Sequence, residues 1–270
     1  MIWQYAFVHN ALLAGAIVAV VSGLVGPFVV MRHMSFAVHG VAELGFTGAA
    51  GALLVGLSPS VGLLAFSLAA SAVMGALGEQ ARERDVAIGA TLSFGLGLGV
   101  LFISLYSGYA QEAFALLFGT ILGISTNDVV LAVVVGAVTI ILLLLVHRPL
   151  RFASVDPEVA EARGISLGLM SMVFAATLAF AVVEAVQVVG VLLLLTLVIT
   201  PAAAAQHLTS RPGRVMVISV AIALVSALGG IVLGLFIAWP VSFFVSAISF
   251  AAYLGARLVG ASLRRTHATL

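Results

Sequence analysis

The stretch Leu131-Ala132-Val133-Val134-Val135-Gly136-Ala137-Val138-Thr139-Ile140-Ile141-Leu142-Leu143-Leu144-Leu145-Val146 decides the class of fold. It is apolar on every side of a helix. Its polarity does not alternate, as a strand of a membrane barrel requires over about ten residues. With its flanks it reaches the ~20 residues that a helix needs to cross a bilayer. The rest of the chain repeats the pattern. Of 270 residues, 63% are hydrophobic and 8% are charged, and the mean hydropathy is +1.29. An average soluble domain carries about 25% charged residues. A water-soluble enzyme is excluded, and the chain reads as an all-α, polytopic integral membrane protein.

Spans are expected near 7–31, 36–57, 60–79, 86–106, 128–147, 168–184, 187–207, 214–238 and 241–258. That makes about nine transmembrane helices. The segment 110–124 is apolar but short and is interrupted by Gly119 and Gly123, so it reads as a re-entrant or interfacial helix. There is no soluble domain or clear repeat, and residues 1–270 form one transmembrane domain. The first ten residues lack the basic start and small-residue site of a cleavable leader.

The charges orient the spans. The eleven basic residues are all arginine. Arg32 follows the first span, Arg82 and Arg84 the third, Arg148, Arg151 and Arg163 the fifth, Arg211 and Arg214 the seventh. Arg257, Arg264 and Arg265 end the last span or follow it. They share one face if 110–124 does not cross, and the positive-inside rule makes that face cytoplasmic, with the N-terminus outside and the C-terminus inside. Without lysine there is no phosphate-binding P-loop, so any ATP hydrolysis belongs to another chain. Without cysteine there are no disulfides or thiolate metal sites. A net charge of +1 points away from nucleic acid.

Two segments carry chemistry. In Met34-Ser35-Phe36-Ala37-Val38-His39-Gly40-Val41-Ala42-Glu43, His39 and Glu43 lie one helical turn apart on one face. Counting from Arg32, Glu43 lies about 16 Å into the membrane, where a carboxylate is costly unless paired or wet. Gly40, Gly45 and Gly48 leave room for a close helix or a water-filled path. One imidazole and one carboxylate make half of a divalent-metal site. Nitrogen and oxygen donors suit Zn²⁺, Mn²⁺ or Fe²⁺, and a second copy across a two-fold axis would complete it. The competing reading is a hydrogen bond that only holds helices together. Among the ten acidic residues, Glu43 is expected to be the one deep in the bilayer.

The second segment is Val155-Asp156-Pro157-Glu158-Val159-Ala160-Glu161-Ala162-Arg163-Gly164-Ile165. Asp156 suits the N-cap, Pro157 the first position, Glu158 the first turn, Arg163 the last, and Gly164 the stop. Such a short cytoplasmic helix could be gripped by a motor subunit or could be a plain connector. Glu184 and Gln187 are placed at the outer turn between spans six and seven, either at the entry of a path or simply in water. Pro201, inside span seven, should break or kink it. His9, His33, His147, His207 and His267 read as structural or solvated.

In order along the chain, four stretches resemble the permease subunits of bacterial ABC importers for zinc, manganese or iron(II), the ABC-3 family. They are Gly26-Pro27 through Met34-Ser35; Leu117-Phe118-Gly119-Thr120 through Ser125; Asp156-Pro157-Glu158 through Arg163-Gly164-Ile165; and Val188-Val189-Gly190-Val191 running to Pro201-Ala202-Ala203-Ala204-Ala205. The family's second-span pattern is Gly-Asp-Ala-x-Ser-His. His39 stands where its Asp is expected and Glu43 where its His is expected, so one imidazole and one carboxylate are kept in exchanged order. The resemblance implies a homodimer in the cytoplasmic membrane that holds no permanent cofactor and passes a divalent metal ion. It implies a pair of ABC ATPase subunits inside, an extracytoplasmic metal-binding protein outside, and Asp156–Gly164, with Glu161 and Arg163 on it, as the coupling helix. The rival reading is a secondary transporter or channel that uses Glu43 as a relay.

Overall fold

The computed structural model describes residues 5–77, 85–108, 119 and 121–268. All regular structure among these residues is helical. The helices are α1 (Ala6–Met31), α2 (Ser35–Leu54), α3 (Pro59–Leu77), α4 (Asp85–Leu105), α5 (Thr126–Val155), α6 (Pro157–Ala162), α7 (Leu167–Val189), α8 (Val191–Val198), α9 (Thr200–Leu208), α10 (Pro212–Phe236) and α11 (Val241–Ala268), with a 3-10 turn at Ile121–Gly123. Six of them, α1, α2, α5, α7, α10 and α11, are long and apolar enough to cross a membrane. Shorter apolar stretches, Pro59–Met74, Leu92–Leu105 and Leu193–Leu208, stand where the third, fourth and seventh spans are expected. The expected helix over 110–124 lies outside the described residues, except for Gly119, the 3-10 turn and Ile124.

α1 is the hub. It packs against α5, α7, α8, α9 and α10, while α2, α3 and α4 form a second group that joins it chiefly through α3 on α7. Close helix approach needs small residues, since lipid tails give little hydrophobic drive between helices. Gly48 and Gly62 illustrate this: each lies against the other's carbonyl where α2 crosses α3. Gly230 and Gly234 likewise receive Val245 and Val241 of α11. The core runs through Val18, Val25, Phe28, Phe46, Phe174, Leu194 and Leu197, all buried. By contrast, Val130, Val134, Ile141, Leu144 and Leu145 of α5 are exposed, as a lipid-facing stripe should be.

Local chemistry sets the boundaries. Ser125 and Asp128 form a capping box that starts α5. The helix then continues through Pro149 to Val155, about 45 Å in all. It therefore overhangs the ~30 Å hydrocarbon core, and the polar residues from His147 onward prolong the span instead of forming a loop. The seventh span divides at Ile199, with Pro201 in the first turn of α9. Ser249 of α11 donates to the Thr196 carbonyl beside that break at 3.2 Å.

The join between spans six and seven is a correction. It falls at Gly190, not between Glu184 and Gln187. Residues 185–189 continue the helix, and Gly190 turns the chain at φ 81, ψ 165, a region essentially restricted to glycine. Glu184 and Gln187 therefore stand inside α7, not on an outer turn.

Candidate metal site

α2 begins just after a tight bend at His33, whose φ is 54. One turn further in, His39 Nε2 lies 3.0 Å from Glu43 Oε1, with side chains 36% and 12% exposed. The i, i+4 spacing has put imidazole and carboxylate on one face and in contact. His39 Nδ1 is buried and has no hydrogen-bond partner among the described residues.

The rest of α2 fixes the pair's position. Gly40 faces Met74 of α3 and Leu92 of α4, Gly45 faces Leu63 and Ser67, and Gly48 faces Phe66. The glycines thus serve close helix packing, not an open path. The Thr47 hydroxyl donates to the Gly95 carbonyl of α4 at 2.6 Å and lies 3.0 Å from the Glu43 carbonyl. This polar link across α2 and α4 sits one turn from the Glu43 side chain and holds its helix against a neighbour.

Among the described residues, no group of three or more His, Cys, Asp or Glu side chains gathers in one place. Among the described residues, two such side chains meet here, His39 and Glu43. Four ligands around a divalent ion require further donors.

On the sequence's second segment, Asp156 Oδ1 accepts from the Val159 N–H at 3.1 Å, and Pro157 takes the first position of α6. Gly164, at φ 81, ends the helix as its Ile165 N–H donates back to the Ala160 carbonyl at 3.0 Å. Only Ala160 of α6 is buried. Glu158, Val159, Glu161 and Arg163 are exposed, and Arg163 lies 5.8 Å over the Phe152 ring. The element is held at its root and open on its outer face.

Sequence reasoning missed the surroundings of Glu184. Far from sitting in water, it is 1% exposed, and among the described residues neither carboxyl oxygen has a hydrogen-bond partner. Glu43 is thus not the one acidic side chain inside the bundle. Gln187, three residues further on, is only half-buried.

Apolar helices packed at glycine contacts, with an acid–imidazole pair within one of them, define a multi-pass membrane protein of the transporter class. The model of the ABC 3 transport family matches residues 4–260, and the chain belongs to that family. It is 29% identical over 229 residues to the manganese transport system membrane protein MntC of Listeria monocytogenes, covering 84% of this chain and 81% of that protein. It is 32% identical over 239 residues to the manganese import system permease protein ScaB of Streptococcus gordonii, covering 87% and 84%. The solved structure of PsaBC from Streptococcus pneumoniae in complex with Fab shares the fold, with a TM-score of 0.84 at 24% identity over 94% of this chain and 92% of that one.

Proposed function

We propose that His39 and Glu43 form one protomer's half of a transient cation site on an import path. The chain is the membrane-spanning permease of an ABC transporter that imports a divalent metal cation across the bacterial cytoplasmic membrane. The observation that carries the site is the 3.0 Å contact of His39 Nε2 with Glu43 Oε1 on a membrane helix of this family. An arriving cation takes the place between these groups, the bridging proton passes to water, and the imidazole nitrogen and carboxylate oxygen turn their lone pairs to the metal. Two donors per protomer hold the ion weakly enough to release it. A second copy related by two-fold symmetry brings the donors to four. Relatives named for manganese favour Mn²⁺ among the ions suited to nitrogen and oxygen ligands.

In this reading the chain crosses the membrane nine times, with its N-terminus outside and its C-terminus inside. ATP is hydrolysed on separate cytoplasmic subunits, and an extracytoplasmic metal-binding protein delivers the ion. α6 docks on the ATPase through exposed Glu158, Val159, Glu161 and Arg163, with Asp156, Pro157 and Gly164 fixing its ends. Nucleotide binding then shifts the bundle between two packings.

The test is metal accumulation in a transport-deficient host expressing the chain with its ATPase and binding protein. Uptake of Mn²⁺ that ceases without the ATPase supports the importer. Uptake that persists without it favours an ATP-independent carrier. A Glu158→Lys or Gly164→Val chain that still couples metal uptake to ATP hydrolysis at the normal ratio overturns the role of α6.

A further inference from the structure

The metal site leaves Glu184 of α7 unused. Its carboxyl is closed in by three helices. A Cβ added at Gly136 of α5 would lie 3.0 Å from Oε1, 3.2 Å from Oε2 and 2.9 Å from Ile17 Cγ2 of α1. The missing side chain of Gly136 is the space that the carboxyl fills. It is 1% exposed, and among the described residues no hydrogen-bond donor reaches either oxygen. An isolated carboxylate in such a place is far costlier than a neutral carboxyl.

We infer that Glu184 is a proton-binding site in the membrane interior, occupied whenever α1, α5 and α7 pack as they do here. A metal ion would need several ligands. The niche offers one carboxyl, and no second His, Asp or Glu joins it to make a cluster among the described residues. A proton needs one oxygen.

Gly136 of α5 lies against the Glu184 carboxyl, and Ile17 of α1 lies against the same side of Gly136; neither ionises. Elsewhere on the helices packed against α7, α1 carries His9, and Arg32 at its end donates to Ser171 of α7 at 2.7 Å. α5 carries Asp128, His147, Arg148 and Arg151, α2 carries His39 and Glu43, and α6 carries Glu158 and Glu161. The described residues of α3 and α8 carry none. His9 and Asp128 stand about two helical turns, or 12 Å along the axis, from Ile17 and Gly136.

The proton comes from water and forms an O–H bond on Oε1 or Oε2. When the three helices part and water enters, that bond breaks, the proton returns to water, and a carboxylate remains. Resting on the import reading, this cycle makes metal uptake depend on pH through one residue.

Infrared spectroscopy of the intact permease–ATPase complex in lipid vesicles, without metal or ATP, tests the site independently of transport. At neutral pH the wild type should show a protonated-carboxyl C=O stretch that is lost in Glu184→Gln and displaced in Glu184→Asp. The Asp variant assigns the band even if the Gln variant does not fold. Absence of the band in the wild type, or an identical band in both variants, overturns the inference. For the coupling, the pH profile of Mn²⁺ uptake should flatten in Glu184→Gln. A profile matching the wild type overturns the coupling.

Discussion

Glu43 and Glu184 are both glutamates on membrane-crossing helices, yet they meet opposite surroundings. Glu43 touches an imidazole and keeps a share of open surface. Glu184 lies against a glycine, and no described residue donates to it. In the proposed site the first arrangement can take up a cation, because a nitrogen and an oxygen donor stand together with some open surface. The second is sealed: it can hold a proton and can lose it only when the helices move. In a membrane protein, depth alone therefore does not assign a role to a carboxyl. Its nearest neighbour and its access to water do.

This contrast can be broken or sharpened by substitution. The largest expected effect on stability is at the sealed niche. Gly136→Val places atoms where the Glu184 carboxyl and Ile17 now lie, and should cost about 3 kcal/mol, read as a lower unfolding midpoint of the purified complex. An unchanged midpoint would mean that the niche is loose. Next, Glu184→Leu removes a buried polar group without partners and should stabilise the folded protein by about 1–3 kcal/mol. A fall in its unfolding midpoint would reveal a partner for Glu184. The smallest effect is expected beside the metal pair. A Cβ at Gly40 meets the ends of the Met74 and Leu92 side chains, which can give way, and alanine also favours the helix. Gly40→Ala should stay within about 1 kcal/mol of the wild type by the same measurement.

Much of this was legible in the sequence. The uninterrupted run from Leu131 to Val146 demanded a helix, and the spacing of His39 and Glu43 demanded contact on one face. Asp156, Pro157 and Gly164 marked both ends of α6 because caps depend on local backbone chemistry. The join at Gly190 was not legible. A lone glutamate in an apolar stretch looks like a loop marker, and only the packing of α1 and α5 around α7 shows that it is buried. The partner of Gly136 is equally a tertiary fact: one glycine among the 28 of the chain bears no mark of the carboxyl that fills its space. His39 Nδ1, buried without a partner, could likewise be found only once the neighbours of α2 were placed.

The most direct test of the central claim compares Mn²⁺ uptake by the wild type, His39→Ala, Glu43→Ala and Glu184→Gln in a transport-deficient host, at matched protein levels and neutral pH. The account expects both alanine variants to lose uptake by about tenfold or more, the order expected when a metal's immediate surroundings are lost, while Glu184→Gln continues to transport. Wild-type uptake in both His39→Ala and Glu43→Ala would contradict it.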